Sequence, residues 1–283
     1  MAEKKFPRTM VGGVSLPRMI IGTNWMLGWS HTTPAADHHI NAVNRNPQAI
    51  ANMVEAYLEY DINAIMGPMY ANPVAVEGVK IAEERTGKKV ILIDTPFLNI
   101  DDNAAARKEA EDMVKGCRDI GVTFCFPHHS VAEQLVNKNK HTMDRLPDYL
   151  KMIRDAGMIP GLSAHMPELI TYSDEQGYDV ETYIQIYNCM GFLMQIEIEY
   201  VYNIIHAAKK PVMTIKSMAA GRVSPFVGLS FSFATLRDKD MVTLGAMLPE
   251  EVHEDVEISL AALERRKPDL EGRASPNKTE IMK

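Results

Sequence analysis

Short apolar runs recur along the chain and are separated by longer segments in which apolar and polar residues alternate with a helical period. Eight runs are continuously apolar, rich in Ile, Val, Met, Tyr and Phe: residues 19–23, 62–66, 90–93, 124–129, 158–163, 183–187, 212–215 and 241–244. Continuous apolar runs are typical of strands that are buried on both faces of a parallel sheet.

The intervening segments predict helices that pack over such a sheet. In residues 48–60, Ile50, Met53 and Val54 fall on one stripe while Glu55 falls outside it. Five further segments share this pattern: 73–85, 104–120, 146–156, 191–209 and 249–266. Strands that alternate with helices indicate an α/β fold with parallel strands.

Eight strand–helix units in a chain of this length predict a (β/α)8 TIM barrel. A doubly wound open sheet is the alternative, but no Gly-x-Gly-x-x-Gly follows the first strand. We expect residues 1–283 to form one domain, in which about 1–17 form an N-terminal hairpin or plug and about 267–283 a C-terminal tail.

Composition narrows the class of protein further. The 283 residues are 46% apolar and 24% charged, with a formal charge of -7, which argues against a chain that coats nucleic acid or anionic membranes. No signal-peptide core or apolar run of membrane-spanning length is present, so we expect a cytoplasmic protein. Cys117, Cys125 and Cys189 show no C-x-x-C spacing, which predicts reduced thiols.

Histidines concentrate where the predicted strands end, which is the face of a TIM barrel that carries the active site. Six of the nine histidines lie at such ends or in the loops that follow them: His31, His38, His39, His128, His129 and His165. We predict that His128 is an acid–base group, a carbonyl polariser or a metal ligand; the alternative is a core histidine that hydrogen-bonds a carbonyl. Strand alternation would turn His129 away from the barrel mouth.

Other side chains at the strand ends complete the predicted site. The catalytic candidates are Tyr70, Asp94 and His165 beside His128, and the substrate-binding candidates are Asn24, Trp25, His31, Gln185, Asn188, Lys216 and Arg222. Asp94, His128 and His165 follow neighbouring strands and are the candidate ligands of a divalent metal, although no H-x-H or H-E-x-x-H pattern is present. Lys216 is a candidate anchor for substrate negative charge, with a Schiff-base nucleophile as the alternative.

Four passages resemble the aldo-keto reductases: 69–80, 124–128, 156–165 and 242–252. The resemblance covers nearly the whole chain and implies an aldo-keto-reductase-like barrel. It also implies that Tyr70 and His128 correspond to the catalytic Tyr and His of the family. The acid of the family's tetrad corresponds to Ile65, and its lysine to Thr95 or Asp94, so two of the four groups are missing.

These differences affect both catalysis and cofactor binding. A tyrosine with an ordinary pKa of about 10 is a poor acid at neutral pH, and a nearby carboxylate raises that pKa further. The resemblance implies that Ser163, Gln185 and Asn188 correspond to nicotinamide-contacting positions, where Ala164 replaces an Asn. No basic residue lies between Leu244 and Glu251 to bind a 2'-phosphate.

The sequence therefore favours an enzyme that performs acid–base chemistry, with or without a divalent metal, on a small polar and carbohydrate-like substrate. Lyase, isomerase or hydrolase chemistry would fit, and NAD(P) is the less favoured cofactor. One alternative is a divergent NAD(P)-dependent aldo-keto reductase. Another is a non-catalytic ligand-binding barrel. We expect no nucleic-acid or membrane partner, and the sequence leaves assembly into a homo-oligomer open.

Overall fold

All eight predicted strands are present and form one barrel. The structure is a computed structural model that describes residues 5–270. Its strands are β1 (Arg8–Val11), β2 (Val14–Pro17), β3 (Met19–Gly22), β4 (Ala64–Gly67), β5 (Ile91–Asp94), β6 (Val122–Cys125), β7 (Val136–Asn137), β8 (Thr142–Met143), β9 (Ile159–Pro160), β10 (Leu162–Ser163), β11 (Tyr183–Ile186), β12 (Val212–Ile215) and β13 (Met241–Leu244).

The main sheet is parallel, with the strand order β10-β11-β12-β13-β3-β4-β5-β6-β9. Its two end strands, β9 and β10, are halves of the predicted fifth strand: β9 pairs with β6 and β10 pairs with β11. Gly161 separates them, and a Cβ atom there would lie 2.4 Å from the Phe126 ring. The barrel thus closes through a strand that is interrupted where a ring occupies the space beside the backbone.

Helices cover the outside of the barrel. They are α1 (Asn24–Leu27), α2 (Pro34–Val43), α3 (Pro47–Leu58), α4 (Pro73–Thr86), α5 (Ala104–Asp119), α6 (His129–Ala132), α7 (Leu146–Asp155), α8 (Glu168–Gln176), α9 (Ile198–Ala207), α10 (Pro225–Thr235) and α11 (Pro249–Glu264). Each of the six predicted helical segments contains a helix, although α9 begins only at Ile198. Helices α1, α2, α6, α8 and α10 lie outside the six segments predicted from the helical period, because each is short or lacks a distinct apolar face.

Two apolar layers hold the barrel together. Phe124, Phe126 and Met213 belong to the cluster inside it, and Val11 and Leu16 of the β1–β2 hairpin pack into the same cluster. A larger cluster fills the space between the strands and the helices. None of the helices among residues 5–270 is long and apolar enough to cross a membrane. Most of the predicted C-terminal tail lies outside the described residues.

Candidate active site

A cavity of about 750 Å³ opens at the C-terminal ends of the strands, and residues from the ends of all eight barrel strands line it. This volume lies within the range of about 300–1,000 Å³ that is common for small-molecule sites. Trp25 and Trp29, which are the only tryptophans in the chain, both line the cavity. Both fluorescent side chains therefore border the space that a ligand would occupy.

Three imidazoles form a stack on one side of the cavity. The ring centroids of His128 and His129 are 4.1 Å apart, and those of His129 and His165 are 3.6 Å apart with an interplanar angle of 19°. The Phe97 ring lies 4.2 Å from the His128 ring. Burial, with the neighbouring His129, lowers the pKa of His128 to about 4 and that of His165 to about 3. Both rings are neutral at pH 7.

His128 does not belong to the strand itself. Strand β6 ends at Cys125, and His128 is the N-cap residue of α6. Its Nδ1 accepts a hydrogen bond from the Ser130 backbone N–H at 3.3 Å and lies 2.7 Å from Ser130 Oγ. A neutral imidazole that accepts at Nδ1 carries its hydrogen on Nε2. His128 can therefore donate an N–H to a ligand in the cavity.

Strand alternation gave the wrong orientation for His129, which lines the cavity from the first position of α6. Glu133 lies one helical turn later. Its Oε1 accepts the backbone N–H groups of His165 at 2.5 Å and Met166 at 3.0 Å, and its Oε2 lies 3.8 Å from His129 Nδ1. The Glu133 carboxylate thus lies between the middle imidazole of the stack, that of His129, and the backbone of His165.

Lys216 lines the cavity directly after β12 and has a left-handed backbone, with φ of 62°. Ala219 and Ala220 in the same loop are also left-handed, with φ of 50° and 54°. Non-glycine residues in this region cost roughly 1–3 kcal/mol each and cluster at functional sites. The Lys216 ammonium has no hydrogen-bond or ion-pair partner among residues 5–270, and burial lowers its pKa.

Six of the predicted site residues line the cavity: Asn24, Trp25, His31, His128, His165 and Lys216. Asn24 Nδ2 lies 2.9 Å from His31 Nε2, and burial lowers the pKa of His31, with Lys216 lowering it further.

Three predicted substrate contacts do not reach the cavity. Gln185 is fully buried, and the Asn188 amide is occupied by the backbone of its own loop. The Arg222 guanidinium stacks 4.1 Å from the Phe192 ring centroid and donates to the His31 carbonyl oxygen.

The structure does not bring Tyr70 and Asp94 to His128. The Tyr70 side chain is 39% exposed and its ring lies against Gly116 of α5, outside the cavity. Asp94 is buried behind it, where Oδ2 accepts the Tyr70 backbone N–H at 2.7 Å and Oδ1 has no hydrogen-bond partner. The predicted metal set of Asp94, His128 and His165 therefore does not converge. Burial raises the pKa of Asp94 to about 6, although the Tyr70 N–H opposes this.

Further residues that were not predicted also belong to the site. Phe97 and Thr243 line the cavity, and Thr243 Oγ1 is buried without a hydrogen-bond partner. No sequence signal pointed to either residue. Glu133 could have been found, because its four-residue spacing from His129 places both on one face of a helix. That inference required α6, which was not predicted.

The start of α11 adds acidic residues to the cavity wall. Glu251, Glu254 and Asp255 of α11 line it. Glu251 Oε2 accepts the backbone N–H of Met247 at 2.7 Å, so a carboxylate of the chain itself caps the start of this helix. A helix N-terminus usually attracts anions, and here its own side chain already satisfies that role.

No protein-family model matches the chain, and no curated protein matches its sequence. Solved structures do match it. A candidate aldo-keto reductase from Pseudomonas aeruginosa has a TM-score of 0.66 at 13% identity. The match covers 93% of this chain and 98% of that protein's chain. The glycerol dehydrogenase from Gluconobacter oxydans has a TM-score of 0.57 at 15% identity, covering 98% and 100%. An aldo-keto reductase from Klebsiella pneumoniae, solved with NADPH, has a TM-score of 0.59 at 16% identity, covering 97% and 99%.

The chain therefore has the (β/α)8 fold of the aldo-keto reductases, and the resemblance read from the sequence is confirmed at the level of the fold. The same neighbours contradict the lyase, isomerase or hydrolase chemistry that the sequence favoured, because they are oxidoreductases. Several of the neighbours were solved with NADP or NADPH, the cofactor type that the sequence ranked lower. They lend no support to carbohydrate metabolism or to a metal ion.

Proposed function

We propose that the chain is a reductase that binds a nicotinamide dinucleotide in the barrel mouth and reduces the carbonyl group of a small substrate. One observation carries this proposal: a cavity of about 750 Å³ extends from the imidazole stack to the acidic start of α11. Several proteins with this fold were solved with NADP or NADPH, including the enzymes from Klebsiella pneumoniae and Bombyx mori.

The residues that line the cavity fit such a cofactor. Thr243 Oγ1 is a buried polar atom without a partner, and an unsatisfied buried hydroxyl is costly unless a ligand completes its hydrogen bonds. Ser163 lines the same cavity, so two hydroxyl groups are available to a carboxamide. Ser217 and Ser224 line it from the loop after β12. The indoles of Trp25 and Trp29 offer flat apolar surfaces for a heteroaromatic ring.

The acidic start of α11 favours NADH over NADPH. A 2'-phosphate adds about two negative charges and is usually bound by Arg or Lys. Lys216 is the one lysine or arginine among the described lining residues, and it lies close enough to His128 and His165 to lower their pKa values. The cation is thus near the imidazoles, while the start of α11 presents carboxylates.

The reacting carbonyl belongs beside His128 and Lys216. A bound reduced nicotinamide supplies hydride to a carbonyl carbon. His128 Nε2–H donates a hydrogen bond to the carbonyl oxygen as that oxygen gains negative charge. The Lys216 ammonium transfers a proton to the same oxygen, and burial assists because it lowers the pKa of that ammonium. Together these two groups supply the hydrogen bond and the proton that Tyr70 cannot supply, because its side chain lies outside the cavity.

Fluorescence titration tests the proposal, because both tryptophans line the cavity. We expect saturable quenching and energy transfer to the reduced nicotinamide, with NADH binding at least about tenfold more tightly than NADPH, equivalent to about 1.4 kcal/mol. Thr243→Val, which removes only the hydroxyl, should weaken NADH binding. If neither cofactor gives a saturable signal at millimolar concentration, the proposal is wrong.

A further inference from the structure

We propose that His129, Glu133 and His165 form a binding site for a divalent transition-metal ion at the edge of the cavity. The site goes beyond the proposed reductase function and does not depend on a bound nicotinamide. Of its three residues, only His165 belongs to the metal-ligand set that was predicted from the sequence.

The three side chains converge from two parts of the fold. His129 and Glu133 are four residues apart on one helical face, and His165 follows β10. One possible ligand atom from each residue lies within 4.8 Å of the other two. Two hydrogen bonds from backbone N–H groups fix Glu133 Oε1, which leaves Oε2 directed toward the imidazoles. Such fixation is typical of a ligand that is positioned before the ion binds.

His129 Nδ1 points to a missing partner. It is buried and has no hydrogen bond. Its 3.8 Å separation from Glu133 Oε2 is too long for a hydrogen bond. Two ligand atoms bound to one tetrahedral ion at about 2.0–2.1 Å lie about 3.4 Å apart. The observed separation is therefore closer to that of two ligands on one ion than to that of a hydrogen-bonded pair.

Ion binding requires a small rearrangement of the imidazoles. The rings of His129 and His165 are nearly parallel, so their nitrogen lone pairs do not point at a common position. Rotation of one ring about its Cβ–Cγ bond brings them together. His165 is the ring that we expect to turn, since neither of its ring nitrogens makes a hydrogen bond within residues 5–270.

The donor set defines the class of ion. Two imidazoles and one carboxylate suit Zn²⁺ or Fe²⁺ better than Mg²⁺ or Ca²⁺, which prefer oxygen ligands. Because His129 and His165 both line the cavity, the remaining coordination positions would be open to water or to a ligand oxygen. Three protein ligands with an open position are typical of catalytic rather than structural zinc sites.

The test is a titration of the full chain, freed of metal by a chelator, with Zn²⁺ against a competing chelator and with Co²⁺ by visible absorption. We expect one equivalent to bind. His129→Ala or His165→Ala should weaken binding by more than about 100-fold, since even outer-shell substitutions cost about 10–100-fold. Glu133→Gln, which keeps an acceptor for the backbone N–H groups, should also weaken it.

His141→Ala is the matched control. His141 Nδ1 lies 3.3 Å from Glu175 Oε2 in an exposed imidazole–carboxylate pair away from the cavity, so its loss should leave the affinity unchanged. Histidine NMR signals give a second measurement that needs no substitution: Zn²⁺ should shift those of His129 and His165. The proposal is overturned if no equivalent binds, if His129→Ala and His165→Ala bind as tightly as the wild type, or if other histidine signals shift instead.

Discussion

Replacing Asp94 by Asn should stabilise the protein at neutral pH and leave catalysis intact. Asp94 is 1% exposed, and its Oδ1 has no hydrogen-bond partner. Burial raises its pKa from 3.8 to about 6. A shift of about two pH units corresponds to about 3 kcal/mol against the charged form. The neutral Asn amide avoids the cost of burying a charge. Its NH₂ group is poorly hydrogen-bonded, however, which costs roughly 1 kcal/mol. We expect a net gain of about 1–2 kcal/mol at pH 8.

The pH dependence gives the sharper test. The folded-state pKa of Asp94 lies above its unfolded value, so the folded state binds more protons between about pH 4 and pH 6. The stability that protonation of Asp94 gives the wild type is therefore lost as the pH rises through about 6. The Asp94→Asn variant has no carboxyl group at this position, so its stability does not change in this way. The difference in unfolding free energy between variant and wild type should be about 2–3 kcal/mol larger at pH 8 than at pH 4.

Urea denaturation at several pH values measures this difference. Asp101→Asn removes an exposed carboxylate and serves as the control, for which we expect little change at any pH. The reasoning fails if the Asp94→Asn difference is the same at pH 4 and pH 8. Loss of carbonyl reduction in a folded Asp94→Asn variant would instead restore the catalytic role that the sequence analysis gave this residue.

Four further substitutions probe the barrel and its mouth. His128→Ala should lower kcat for carbonyl reduction by about 100- to 10,000-fold, the range typical of lost acid–base assistance. Lys216→Met should lower kcat by at least about 100-fold while NADH still binds in the fluorescence titration. Tyr70→Phe should change kcat/KM by less than about twofold, because its ring lies outside the cavity. Gly161→Ala should destabilise the protein by about 1–3 kcal/mol in urea, because the new methyl group would overlap the Phe126 ring.

The barrel could be predicted because continuous apolar strands and amphipathic helices are local patterns that any closed parallel sheet requires. The break in the fifth strand could not, because Gly161 is needed only where the distant Phe126 ring packs beside it. Similarly, the fourth strand ends at Cys125, before the apolar run does. The rule of alternating side chains therefore did not apply to His129.

Part of the candidate site could also be predicted from the sequence. His128, His165 and Lys216 could be placed at the barrel mouth because the ends of parallel strands meet at one face of the barrel. The outward position of the Tyr70 side chain could not be predicted, because it depends on backbone detail that residue spacing does not carry. Thr243 was missed because a single hydroxyl within a strand has no sequence signature.

Transfer of deuterium tests the central claim most directly. NADH carrying deuterium at the transferred C4 position would be incubated with the full chain and a panel of small aldehydes and ketones. The proposed function predicts that mass spectrometry finds deuterium on the carbinol carbon of a product, and that His128→Ala slows the transfer by at least about 100-fold. Tight cofactor binding with no deuterium in any product would contradict the reductase and favour a barrel that only binds its ligand.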